Sequence, residues 1–183
     1  DKYQIIVDTA YSNVIKGNGN IWSSGEVNSE TIPVIYSGKK LQPFTKYYWS
    51  VRIQDKKGNW SSFSKVSSFE TGMMELDNWK GDWISDTHDF NIKPAPYFRK
   101  EFQLNKKVKS ARLYIAVAGL FELSLNGNKL GDQCLNPMFT RYDRRNLYLT
   151  YDITNNLNTD KNVVGVLLGN GWYNHQSIAV WYF

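Results

Sequence analysis

Along residues 111–125 the chain alternates its positions with period two. Ala111, Leu113, Ile115 and Val117 fall on one side, and Arg112, Tyr114 and Ala116 on the other. After Ala118-Gly119 the alternation resumes, with Phe121, Leu123 and Leu125 set against Glu122, Ser124 and Asn126. Successive side chains of a strand point to opposite faces, so this run predicts two strands, each with one buried face, joined at a bend. Asn126-Gly127 follows, a pair that accepts the positive φ angles of a tight hairpin turn. The stretch predicts the middle of a β-sandwich and carries no reaction chemistry.

The rest of the chain falls into place around it. Tyr3, Ile5 and Val7 predict a strand almost at residue 1, and Asn18-Gly19-Asn20 a turn before Ile21-Trp22. Residues 31–36 predict another strand, with Pro33 placing it at a sheet edge where a missing N–H does no harm. Tyr47, Trp49, Val51 and Ile53 mark the clearest strand of this half, residues 55–59 a hairpin turn and residues 65–71 a closing strand. No helical period is visible, so residues 1–72 predict a small sandwich. Residues 73–81 read as a linker with a short helical turn near Glu75-Leu76-Asp77. Residues 82–183 predict a second sandwich, with strands over 97–104, 147–151 and 163–168 beside the central pair. Residues 180–183 look like the start of one more strand, and apolar terminal residues are normally paired, so the expectation is a chain cut at both ends.

Composition narrows the function classes. The 183 residues hold 7 Trp and 12 Tyr, and 15% of the chain is aromatic, a load that fills sandwich cores or stacks against sugar rings. The net charge of +5 is modest, and its lysines and arginines include pairs beside turns, such as Lys56-Lys57 and Arg144-Arg145, with no stripe that would read nucleic acid. The single cysteine, Cys134, excludes an internal disulfide and reads as a small apolar residue inside or beside a strand. No apolar run is long enough to span a bilayer as a helix.

Residues 47–53 (YYWSVRI), 58–64 (GNWSSFS) and 69–72 (FETG) make the first half resemble a fibronectin type III-like module whose first strand is missing. In the second half Tyr97-Phe98-Arg99-Lys100, residues 111–127, Leu135-Asn136-Pro137, Tyr151-Asp152-Ile153-Thr154 and residues 162–173 ending in GNGWY resemble the jelly-roll domains of glycosidases. With Ile21-Trp22-Ser23-Ser24-Gly25, this ordered set resembles the N-terminal region of bacterial α-L-rhamnosidases of glycoside hydrolase family 78. The resemblance implies an exported, periplasmic or cell-surface parent that removes terminal α-L-rhamnose from glycans with inversion, using paired carboxylates on an (α/α)6 barrel. Inversion needs two carboxyl groups about 6.5–9.5 Å apart. Most acidic residues here fall in turns and loops with no such pair marked, so the chain is expected to be non-catalytic, a partner of that barrel. A free-standing carbohydrate-binding or adhesion protein is the rival reading, and two purely structural spacers a third.

Candidate binding residues lie where strands end. Gly169 and Gly171 allow a sharp turn that would present Asn170, Trp172 and Tyr173 to a sugar. On an extended segment the two rings would point to opposite sides, one into the core; a large ring after a strand usually packs, so Trp172 as core is the plainer outcome. Arg141 and Asp143, in the loop 140–145, suit polyol recognition or a salt-bridged surface equally. Asn126-Gly127-Asn128 reads as a turn. Asp82, Asp86 and Asp89 raise Ca²⁺, which relatives of the jelly-roll domain use, but Ca²⁺ takes roughly 6–8 oxygen ligands and this spacing matches no calcium loop. His88 and His175 have no second ligand at zinc spacing, so no metal and no cofactor is expected.

Overall fold

The structure is a computed structural model that describes residues 2–28, 33–86 and 95–173. The chain divides into two compact units between Trp83 and Ile84, and the sheets of both are antiparallel.

The first unit holds β1 (Lys2–Asp8), helix α1 (Tyr11–Ile15), β2 (Trp22–Ser23), β3 (Val27–Asn28), β4 (Lys46–Gln54) and β5 (Ser67–Glu70). They form one sheet in the order β2-β1-β4-β5, with β3 also pairing β1. β1 and β4 pair along their full length, from Lys2 opposite Gln54 to Asp8 opposite Tyr48. That register puts Ile5, Val7, Trp49 and Val51 on one face and Ile6 and Ser50 on the other, and the last two are fully buried. Helix α1 covers the second face through Val14, also fully buried, and Tyr11 packs edge-on against Tyr48. Five helical residues give too short a window for a periodic signal, which is why α1 was not legible in the pattern.

Two expectations for this unit need correction. Residues 33–36 form no strand, while Thr31 and Ile32 lie outside the described residues. Pro33 lacks the N–H for a ladder, and Tyr36 instead meets Trp22 edge-on and donates its hydroxyl to the Lys39 carbonyl. The closing strand is also shorter than expected, because serine side chains replace part of its ladder. The N–H of Val51 donates to Ser64 Oγ at 3.2 Å and that of Ile53 to Ser61 Oγ at 3.1 Å. The serine amides return bonds to the Val51 and Ile53 carbonyls at 2.8 Å each.

The second unit holds β6 (Tyr97–Gln103), β7 (Arg112–Ala116), β8 (Leu120–Leu125), β9 (Asn128–Lys129), β10 (Tyr148–Asp152) and β11 (Lys161–Gly169). One sheet runs β6-β11-β8-β9, and β10 with β7 makes a second. The bend at Gly119, with φ of +107°, carries the chain from one sheet to the other, so the central strands face each other across the core. Phe121, Leu123 and Leu125 of β8 are buried there, with Leu113 and Ile115 of β7, Leu149 and Tyr151 of β10 and Val164 and Val166 of β11 packed against them. The alternation expected for residues 121–125 is therefore visible in the burial of β8, whereas all five residues of β7 are half-buried, Leu113 and Ile115 packing on the core.

The turn after β8 has positive φ at Asn126 and Gly127, as its residue types predict. Asn126 is structural: its Oδ1 accepts from the Val163 N–H, and its amide donates to the Asn156 carbonyl and to Asn162 Oδ1. Cys134 is exposed in the loop after β9, contrary to the expectation of an apolar position inside or beside a strand, because residues 131–135 all lie on the surface before the loop returns to β8 at Asn136.

Candidate functional site

β11 ends at Gly169, and the turn that follows lies against the bend between β7 and β8. A Cβ built on Gly171 would touch Gly119 Cα and Leu120 Cγ at 3.2 Å, so only glycine fits the backbone this closely without displacement. Residues 171–173 are a turn and not an extended segment. The expectation that their two rings would point to opposite sides fails for that reason. Trp172 and Tyr173 are 56% and 58% exposed, so neither serves as a core residue.

Both rings instead meet the loop that follows β9. Trp172 packs on Phe139 at 6.2 Å between centroids and 60° between planes, and Tyr173 on Tyr142 at 5.6 Å and 85°. Phe139 and Tyr142 touch each other at 5.7 Å and 88°. Edge-to-face contacts of this kind are favourable beyond the area they bury. The result is a chain of four rings with Phe139 61% exposed, and Leu135 and Met138 exposed in the same loop. The loop is pinned to the core by the Phe121 N–H, which donates to the Asn136 carbonyl at 3.0 Å, and folded on itself by the Arg144 and Arg145 amides, both donating to the Arg141 carbonyl.

Arg141 and Asp143 flank Tyr142 in sequence and pair with each other. Nε donates to Oδ1 and Nη2 to Oδ2, each at 2.9 Å, a two-pronged contact on the surface. In this pair both Asp143 oxygens accept from the Arg141 guanidinium. Asn170 is half-buried in the turn itself, its carbonyl against Gly119. The structure thus brings Trp172 and Tyr173 onto the 139–142 loop, with Arg141 and Asp143 beside Tyr142 in the chain. Phe139 joins them although the sequence reading passed it over. The apolar run Pro137-Met138-Phe139 in an otherwise polar loop was the available signal.

Asp89, His88 and His175 lie outside the described residues. Among the described residues no three His, Cys, Asp or Glu side chains gather as a metal site, and no helix is long and apolar enough to cross a membrane. Chemically, the cluster offers exposed ring faces and edges beside a fixed ion pair, features that suit a flat, hydroxylated ligand with apolar C–H edges.

Both halves of the chain are similar to known proteins. Residues 1–75 match the family of Rha78A-like N-terminal immunoglobulin domains, and residues 106–181 the α-L-rhamnosidase N-terminal domain. Immunoglobulin and fibronectin type III domains share the sandwich architecture, so the match agrees with the fold expected for the first half. An α-L-rhamnosidase of Formosa agariphila is 34% identical over 93% of the chain, which spans 20% of that relative. The solved α-L-rhamnosidase from Dictyoglumus thermophilum is 41% identical with a TM-score of 0.86, matching 94% of the chain and 21% of its own. The enzyme from Aspergillus terreus gives 29% identity and a TM-score of 0.69 over 94% of the chain and 20% of its own. The chain spans about a fifth of the length of the relatives it matches.

Proposed function

Since the chain carries the two N-terminal domain types of the α-L-rhamnosidases in order, we propose that it is a non-catalytic N-terminal part of an enzyme removing terminal α-L-rhamnose from glycans. The observation that carries this reading is the coverage: both domain families are matched in this chain, and the chain spans only about a fifth of the first relatives it matches. In this reading the carboxylates of the reaction belong to an (α/α)6 barrel elsewhere in the parent, and the parent is exported to the periplasm or cell surface where such glycans are met.

The ring cluster at the end of the second unit would hold a rhamnose-containing glycan. Trp172 and Tyr173 supply stacking surface, Arg141 and Asp143 a fixed donor and acceptor pair, and Asn170 a hydrogen-bonding turn. Stacking of a ring on an aromatic side chain contributes about 1–3 kcal/mol by analogy with bases, and with hydrogen bonds to the sugar hydroxyls this reaches the roughly 4 kcal/mol of millimolar binding. The test is direct. The chain alone is expected to release no nitrophenol from nitrophenyl α-L-rhamnoside, while L-rhamnose added to it shifts the indole and Asn170 amide resonances. Turnover that disappears when acidic residues of this chain are replaced would overturn the non-catalytic reading. Silence towards L-rhamnose at tens of millimolar would overturn the binding role.

A further inference from the structure

The first unit holds a second feature, independent of the ring cluster. Strand β4 places Arg52 on the same face as Ile6 and Ser50. Its guanidinium carbon lies 4.5 Å from the ring centroid of Trp60 and 5.0 Å from that of Phe63. Its Nε donates to Gln4 Oε1 at 2.8 Å. Two rings and one amide therefore fix the guanidinium, while its two Nη groups have no acceptor among the described residues.

Arg52 lines a cleft of about 790 Å³ together with Lys16, at the end of α1, and Lys65, before β5. Every charged residue lining this cleft is a cation, and none of the three takes part in an ion pair among the described residues. Tyr11 and Ser62 add hydroxyl groups to the wall. A planar guanidinium held in place by stacking loses little further freedom when it grips an oxyanion, and two flexible ammonium groups add charge without demanding geometry.

We propose that this cleft in the first unit binds an oxyanion carried on a saccharide, with the stacked Arg52 as the fixed fork and Lys16 and Lys65 as flanking cations. The cleft has the size of a small-molecule site, far more room than an inorganic ion fills, and this favours an anion attached to a sugar over a free one. Recognition of the anion stands on these residues alone; only the choice of a saccharide as its carrier draws on the glycan setting proposed above.

The experiment uses the 183-residue chain and follows the Arg52 Nε–H resonance together with tryptophan fluorescence. Four probes are titrated: D-galacturonate, D-galactose 6-sulfate, the neutral methyl ester of galacturonate, and inorganic sulfate. Either charged sugar should give a saturable shift in the millimolar range, with the methyl ester silent and inorganic sulfate at least roughly tenfold weaker. Lys16 and Lys65 are both exposed, so the double variant K16Q/K65Q should fold normally and bind the charged sugar roughly tenfold more weakly. The proposal is overturned if neither charged sugar saturates, if the methyl ester shifts Arg52 equally, or if the double variant binds undiminished. Inorganic sulfate binding as tightly as the charged sugars would also overturn it, leaving a free-ion site.

Discussion

Gly119 lies so close to Gly169 that a Cβ built on it would fall 2.7 Å from the Gly169 carbonyl oxygen, and 2.9 Å from that of Asn170. The bend that passes the chain between the two sheets is thus also the seat of the turn carrying Trp172 and Tyr173. Gly119→Ala should therefore do two things at once. A methyl group there meets backbone that cannot swing aside and must hold φ at +107°. The expected loss is about 2–4 kcal/mol of unfolding free energy, with a shift in tryptophan emission as the turn moves. Urea denaturation followed by fluorescence measures both, and an unchanged midpoint would mean that the close approach does not position the turn.

Trp172 separates binding from stability. Its ring is more than half exposed, so Trp172→Ala should cost under about 1 kcal/mol in a denaturant titration. The same variant should lose the saturation-transfer signal of L-rhamnose that the proposed binding role expects of the native chain. Signal retained in this variant and in Tyr142→Ala would leave the four rings as loop packing.

Asp8 should make the first unit acid-sensitive. Burial pushes its carboxyl up, but hydrogen bonds from the Ala10 and Asn20 amides and the Asn13 side chain outweigh this and hold it below its ordinary value. A carboxyl depressed in the folded state contributes stability above its unfolded pKa, and that contribution is lost as pH falls through the folded pKa. Asp8→Asn should remove about 1–3 kcal/mol at neutral pH, because the amide cannot accept every one of these bonds, and should flatten the acid limb of a stability-against-pH curve. A parallel acid limb in the variant would assign the sensitivity to other carboxyls.

Asn162 ties the second unit together. Fully buried, it accepts from Asn126 Nδ2 and the Asn158 N–H and donates to the Asn158 and Asp160 carbonyls. Asn162→Ala strands these partners and should cost about 2–3 kcal/mol. Hydrogen exchange at Asn158 and Val163 should speed up with it, and protection equal to that of the native chain would contradict the role.

Cys134 is exposed, so a thiol reagent should modify it stoichiometrically in the folded chain, with no change in the melting curve. Modification only after denaturation would restore the strand position expected from its residue type.

The sequence by itself determined where the core strands of the second unit run, and for β8 which face is buried. Residues 111–117 and 121–125 write the core of the second unit in their alternation, and Asn126-Gly127 writes its turn in the φ angles those residues accept. These are local properties, carried by each residue and its near neighbours. Tertiary structure alone decided which surface covers each face. β7 and β8, adjacent in the chain, join different sheets, and β8 finds its partner in β11 some forty positions later. The serine-bridged edge of β4 was illegible because a hydroxyl standing in for a carbonyl leaves no period. The ring cluster depended on Phe139 and Trp172 meeting through a turn whose shape is set by Gly119, fifty residues before it. Alternation reports that a face is buried; only the packed chain supplies what buries it, and what it leaves exposed.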